Sequence, residues 1–144
     1  QYKLDAEVAD VTTVNIVAVG GPCANSVVAA LMGDPAECYS AMGIEAGQGL
    51  IKLFEDETTG KVALVVAGQT AEDTRYTSQI MATYADFDLM GMELVASTVS
   101  EADLKVMTKT EALAMSATEE VMEAEEVMEA EEVMEAEEVV EAEE

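Results

Sequence analysis

Apolar and polar positions fall into blocks along the chain, and each block predicts an element. Leu4-Asp5-Ala6-Glu7-Val8-Ala9-Asp10-Val11 alternates with period two, the spacing of a strand half exposed to solvent or added to a sheet edge. Val14 to Val19 is nearly all apolar and runs into Gly20-Gly21-Pro22, after which Cys23 to Met32 has helical spacing with Gly33 beyond its end. Strand, tight turn and helix are expected in that order. Gly47 to Phe54 predicts a short helix offering Leu50, Ile51, Leu53 and Phe54 to a core, and Glu55 to Gly60 a polar turn. Lys61 to Gly68 repeats the first apolar pattern; Thr70 is placed as an N-cap, Glu72 and Asp73 fill the first turn, and the helix runs to about Tyr84. Met92 to Thr98 predicts a further strand, and Glu101 to Met115 a less regular helix. These alternations point to an α/β fold, a small sandwich with a mainly parallel central sheet, followed by an acidic helical repeat tail.

The tail is a hexad, Glu-Glu-Val-Met-Glu-Ala, repeated from Glu119 to Ala142 with Val140 in place of one Met. Its composition favours helix, although like charges four residues apart oppose it. Six residues advance by about 600°, so each apolar patch is turned roughly 120° from the last and no fixed stripe or coiled-coil seam results. The segment suits a solvated acidic spacer, a helix packed among neighbours in an assembly, or a cation-collecting tail. Three parts follow: residues 1–11 as an amphipathic N-terminal strand, 12–118 as the α/β domain and 119–144 as the tail.

Charge narrows the function. The 144 residues carry 31 acidic and 6 basic side chains for a net −25, and the tail alone holds 14 glutamates. That argues against nucleic-acid partners, which need Lys and Arg to neutralise phosphates. There is no His, which excludes Ser-His-Asp and Cys-His catalysis, His metal sites and haem attachment through Cys-x-x-Cys-His. No apolar run is long enough to span a membrane, and no Asn-x-Ser/Thr acceptor occurs. The absence of a start Met and signal peptide leads us to expect a processed or excised chain.

Candidate chemistry is sparse. Gly20, Gly21 and Gly68 end two successive strands, where α/β folds bring backbone N–H groups to a ligand, but neither turn fits a dinucleotide or P-loop pattern and Pro22 removes a donor. Tight-turn geometry and a ligand cradle both stay open. Asp73 and Arg75 suit a helix cap and an ion pair more readily than catalysis. Glu55, Asp56 and Glu57 are weak calcium candidates without EF-hand spacing, and more simply a solvated turn. No other cofactor is expected.

Three motifs then stand out together: Gly20-Gly21-Pro22-Cys23-Ala24-Asn25, Leu50-Ile51-Lys52-Leu53, and Val66-Ala67-Gly68-Gln69-Thr70-Ala71-Glu72-Asp73-Thr74-Arg75. In order and spacing they resemble the core of archaeal S-layer and S-layer-related secreted proteins, over residues 12–98. Gln69 stands where that pattern commonly has an aromatic residue, and the hexad tail is foreign to it. The resemblance implies a non-enzymatic, extracellular structural protein that assembles with copies of itself into a surface layer or filament. In that setting, strand addition by Tyr2 to Val11 is a means of assembly. The oxidising environment makes a Cys23–Cys38 disulfide the natural pairing, with two buried free thiols as the other possibility. The alternatives are a secreted module binding a small anionic or carbohydrate ligand at the glycine turns and, behind it, a hydrolase using Asp73 or Arg75.

Overall fold

A computed structural model describes residues 1–98 and 100–115. The hexad repeat at 119–144 lies outside the described residues. The chain divides into two compact units, 1–109 and 110–144, and the sheet belongs to the first.

Five strands form one sheet: β1 (Ile16–Val19), β2 (Gln48–Asp56), β3 (Lys61–Gly68), β4 (Glu93–Ser97) and β5 (Lys105–Thr108), in the spatial order β1-β3-β2-β4-β5. β1 and β3 are parallel, while β3–β2, β2–β4 and β4–β5 are antiparallel. The sheet is therefore mixed and mostly antiparallel, which corrects the mainly parallel arrangement expected from the sequence. One segment accounts for the change. Gly47 to Phe54, expected as a helix, is most of β2, which folds back on β3 as a hairpin around Asp56 to Gly60 and inserts between β3 and β4. A short apolar run does not distinguish a buried helix from a central strand. The hairpin decides it: the Asp56 carboxylate accepts hydrogen bonds from the backbone N–H groups of Thr58 and Thr59, and Gly60 takes a φ of 64°.

Two further expectations change. Residues 1–11 hold a 3₁₀ turn at Asp5–Glu7 instead of a strand. Glu7 closes this turn on the Leu4 N–H (2.7 Å), while Asp5 is drawn away to Ser26 at the start of α1, so side-chain bonds to the backbone outcompete the extended conformation that the alternation implied. Glu101 to Met115, expected as one helix, gives a 3₁₀ turn at Glu101–Asp103 and then β5, and helix appears only at 109–115.

Helix α1 (Ser26–Leu31) starts later than its apolar spacing implies because Asn25 caps it, Oδ1 accepting from the N–H groups of Val27 and Val28 at 3.0 and 3.3 Å. Helix α2 (Ala71–Ala82) begins where expected, at the Thr70 cap. It crosses from β3 to β4 over one face of the sheet, where Ile80 packs with Ile51, Leu94 and Ala96. The other face presents Ala18, Ala63, Val65, Ala67, Leu50 and Val95, all buried, as are Val27 and Val28 of α1 and Met42 and Ile44 of the loop after it. On β1 it is Ala18 that is covered while Val17 and Val19 are exposed, so α1 lies opposite α2. Each fully buried Val or Leu of these layers contributes about 1.5–3 kcal/mol.

Candidate functional site

The third motif folds into a single junction. Gly68 ends β3, and α2 starts so close above it that a Cβ there would collide with the backbone of Asp73 and Thr74. Thr70 and Asp73 form a reciprocal cap: Thr70 Oγ1 accepts from the Asp73 N–H (3.1 Å), and Asp73 Oδ2 accepts from the Thr70 N–H and hydroxyl (3.0 and 2.8 Å). The other carboxylate oxygen accepts from the hydroxyl of Thr98, just past β4, at 2.7 Å. Asp73 is buried, 5% exposed. Burial alone would raise its pKa, but the Thr98 and Thr70 donors and the Gly47 N–H outweigh that and hold it below the ordinary 3.8. It is an anion at neutral pH whose lone pairs are taken by the protein itself.

A shallow depression beside it is lined by Ala46, Gly47, Glu72, Tyr76 and Thr98. Its rim is self-paired. Glu72 accepts from Arg75 at 3.1 Å and from the Tyr76 hydroxyl at 3.4 Å, and Arg75 lies 5.0 Å from the Tyr76 ring centre. Of the two residues a hydrolase would have used, Asp73 is thus a buried cap and Arg75 an exposed ion-pair partner.

The first motif is likewise spent on the fold. Gly20 has a φ of 113°, a conformation open to glycine, and its N–H continues the ladder to Val66 O at 2.9 Å. Asn25 caps α1 and donates from Nδ2 to Val19 O at 3.0 Å, binding the end of β1 to the start of the helix. The structure does bring Gly20, Gly21 and Gly68 to neighbouring strand ends. A Cβ on Gly21 would nevertheless meet the Met42 side chain at 3.3 Å and Gly68 O at 3.7 Å, so the space above the glycines is filled by the protein's own atoms.

Cys23 and Cys38 are joined in a disulfide with 5.2 Å between their Cα atoms, fastening the turn before α1 to the loop leading into β2. Asp5 adds a second tie that the sequence did not reveal: its carboxylate accepts from the Ser26 N–H and hydroxyl at 2.9 and 2.8 Å, which lowers its pKa. Glu55, Asp56 and Glu57 do not converge, and among the described residues no three acidic or thiol groups gather closely enough to hold a metal ion. The Asp56 carboxylate is occupied by Thr58 and Thr59.

One charged cluster was not foreseen. Glu93 on β4 accepts from Lys52 (2.8 Å) on the neighbouring β2 and from Lys109 (2.6 Å), and Lys52 lies 5.2 Å from the Phe54 ring centre. Burial would raise the Glu93 pKa; the two lysines reverse the shift. Lys52 and Glu93 become cross-strand partners only once β2 is a strand. Thr98, the partner of Asp73, was equally hidden, since 25 residues separate them and no local spacing links a strand end to a helix cap.

No helix among the described residues is long and apolar enough to cross a membrane. No curated protein and no solved structure matches the chain significantly. The family model described as the outer domain of an S-layer-like family matches residues 1–85, a span holding β1 to β3, α1 and α2, the disulfide, the Asn25 cap and the Thr70–Asp73 cap. With well over half its length inside that match, the chain belongs to the S-layer-like family.

Proposed function

We propose that this cell-surface, S-layer-related chain is a structural subunit of an archaeal envelope, assembling with copies of itself into a layer or extracellular filament. The observation that carries the reading is the fate of the family motifs. Gly20, Asn25, Gly68, Thr70 and Asp73 all hold strand ends to helix starts, so what the motifs specify is a rigid, precisely shaped subunit. A disulfide at Cys23–Cys38 and a buried, fully paired carboxylate suit a domain that must keep its shape outside the cell. The hexad tail serves as spacer or lattice contact, its 14 carboxylates requiring cations, protons or basic neighbours wherever they pack.

The test is assembly of the oxidised full chain, imaged by negative-stain electron microscopy at neutral and acidic pH with and without millimolar calcium. Ordered sheets or filaments are expected once the charge is neutralised. A protein that stays monomeric under every one of these conditions, by light scattering at high concentration, refutes self-assembly.

A further inference from the structure

We infer that β1 is a copy-to-copy contact, in which a second copy of this chain adds its own β1 antiparallel across a two-fold axis at Val17. The inference deepens the assembly reading and rests on it. Among the described residues β1 is an edge, paired only with β3. Because the Gly20 N–H points to β3, the strand's period of two turns Ala18 and Ile16 towards β3 and the N–H and C=O groups of Val17 and Val19 outwards. The Asn25 amide reaching Val19 O confirms that outward direction. Among the described residues nothing pairs with the Val17 N–H and C=O on this side, the pair of groups that two antiparallel strands exchange at a two-fold axis.

The side chains agree with the backbone. Val17 and Val19 are 63% and 51% exposed, on the face that α2 covers over β3 and β2 but leaves bare at β1. Exposed edges are normally defended by Lys, by Pro or by a bulge. β1 has none of these, and no charged residue occurs from Val11 to Gly33.

Charge selects the occupant. Two copies each carrying −25 repel wherever their acidic surfaces meet, so a favourable contact between them needs a neutral apolar patch, and β1 is one. The opposite edge begins with Lys105, ion-paired to Asp103 at 3.0 Å, and carries charge into any contact. Across the two-fold axis Val17 faces Val17 of the second copy on one side of a continuous sheet. Four residues a side fall short of the roughly 1,200 Å² that a stable isolated interface buries. The contact is weak alone and gains its strength from repetition in an assembly.

Sedimentation equilibrium of the full chain against V17K and V19K tests this. Either lysine sets like charges against each other across the axis, or beside it, and is expected to weaken association at least about tenfold, with circular dichroism and melting temperature unchanged because both sites are exposed. Independently, a spin label on Val17→Cys, the native cysteines being paired, is expected to show dipolar broadening that dilution with unlabelled protein removes. Assembly of V17K and V19K as tight as the parent's, or broadening for a label on Lys105→Cys and not at position 17, overturns the β1 contact while leaving self-assembly standing. A parent chain that never associates overturns both.

Discussion

Replacing Thr98 with Val tests the account of the Asp73 junction with little disturbance of shape, since the two side chains are nearly isosteric. Thr98 is 2% exposed and its hydroxyl lies 2.7 Å from Asp73 Oδ1. The variant removes one donor from a buried carboxylate that keeps its Thr70 donors. A hydrogen bond to a charged group contributes about 1.5–3 kcal/mol, so a loss of about 2 kcal/mol is expected at pH 7. For a unit of about 100 residues that corresponds to a fall in melting temperature of about 8 °C. The pH dependence separates this cause from lost packing. Asp73 has a lowered pKa in the folded protein, so its stabilising effect is present above the ordinary value of 3.8 and is lost as the pH falls below it. Without Thr98 the folded pKa moves up, and the gap between variant and parent should narrow as both protonate Asp73. Urea unfolding at pH 7, 5 and 3 measures it. A variant within 0.5 kcal/mol of the parent at pH 7, or a difference that stays constant down to pH 3, would refute the charged hydrogen bond as the source of stability.

Two other outcomes follow from the packing. Reducing the Cys23–Cys38 bond, or C23S/C38S, should cost about 3 kcal/mol, since it reopens a 15-residue loop; equal urea midpoints with and without reductant would show that the Asp5–Ser26 tie alone holds this corner. Gly49→Ala should destabilise by about 2–3 kcal/mol because the new methyl lands on the Thr77 hydroxyl of α2, in a fully buried contact. Adding Thr77→Ala removes that hydroxyl and should recover part of the loss. A double variant less stable than the sum of the two single ones would place the strain elsewhere.

Much of the fold was legible because it is written locally. β1, β3 and β4 and the helices α1 and α2 could be located from runs of apolar residues and from the Thr70 cap, and Asp73 was readable as a first-turn acid. The S-layer resemblance was legible too, because two of its three motifs mark strand-to-helix turns, whose glycines and caps act within a few residues, and the third is a contiguous run within β2. The misreadings share a cause. Leu4 to Val11 has the period of a strand and Leu50 to Phe54 has the residues of either element, and in both the outcome rests on partners distant in the chain. Asp5 meets Ser26, and β2 meets β3 on one side and β4 on the other.

The sequence by itself determined composition, charge, the run of uncharged residues from Val11 to Gly33 and the Thr70 cap that starts α2, since each is a property of neighbouring residues. Only the tertiary structure decided that the sheet is mostly antiparallel, that Asp73 is buried against Thr98 and that the uncharged β1 is an edge. Strand order, burial of a carboxylate and exposure of a valine depend on which distant segments exclude water from it. Hydrogen-bond pairing across a sheet carries no sequence spacing of its own.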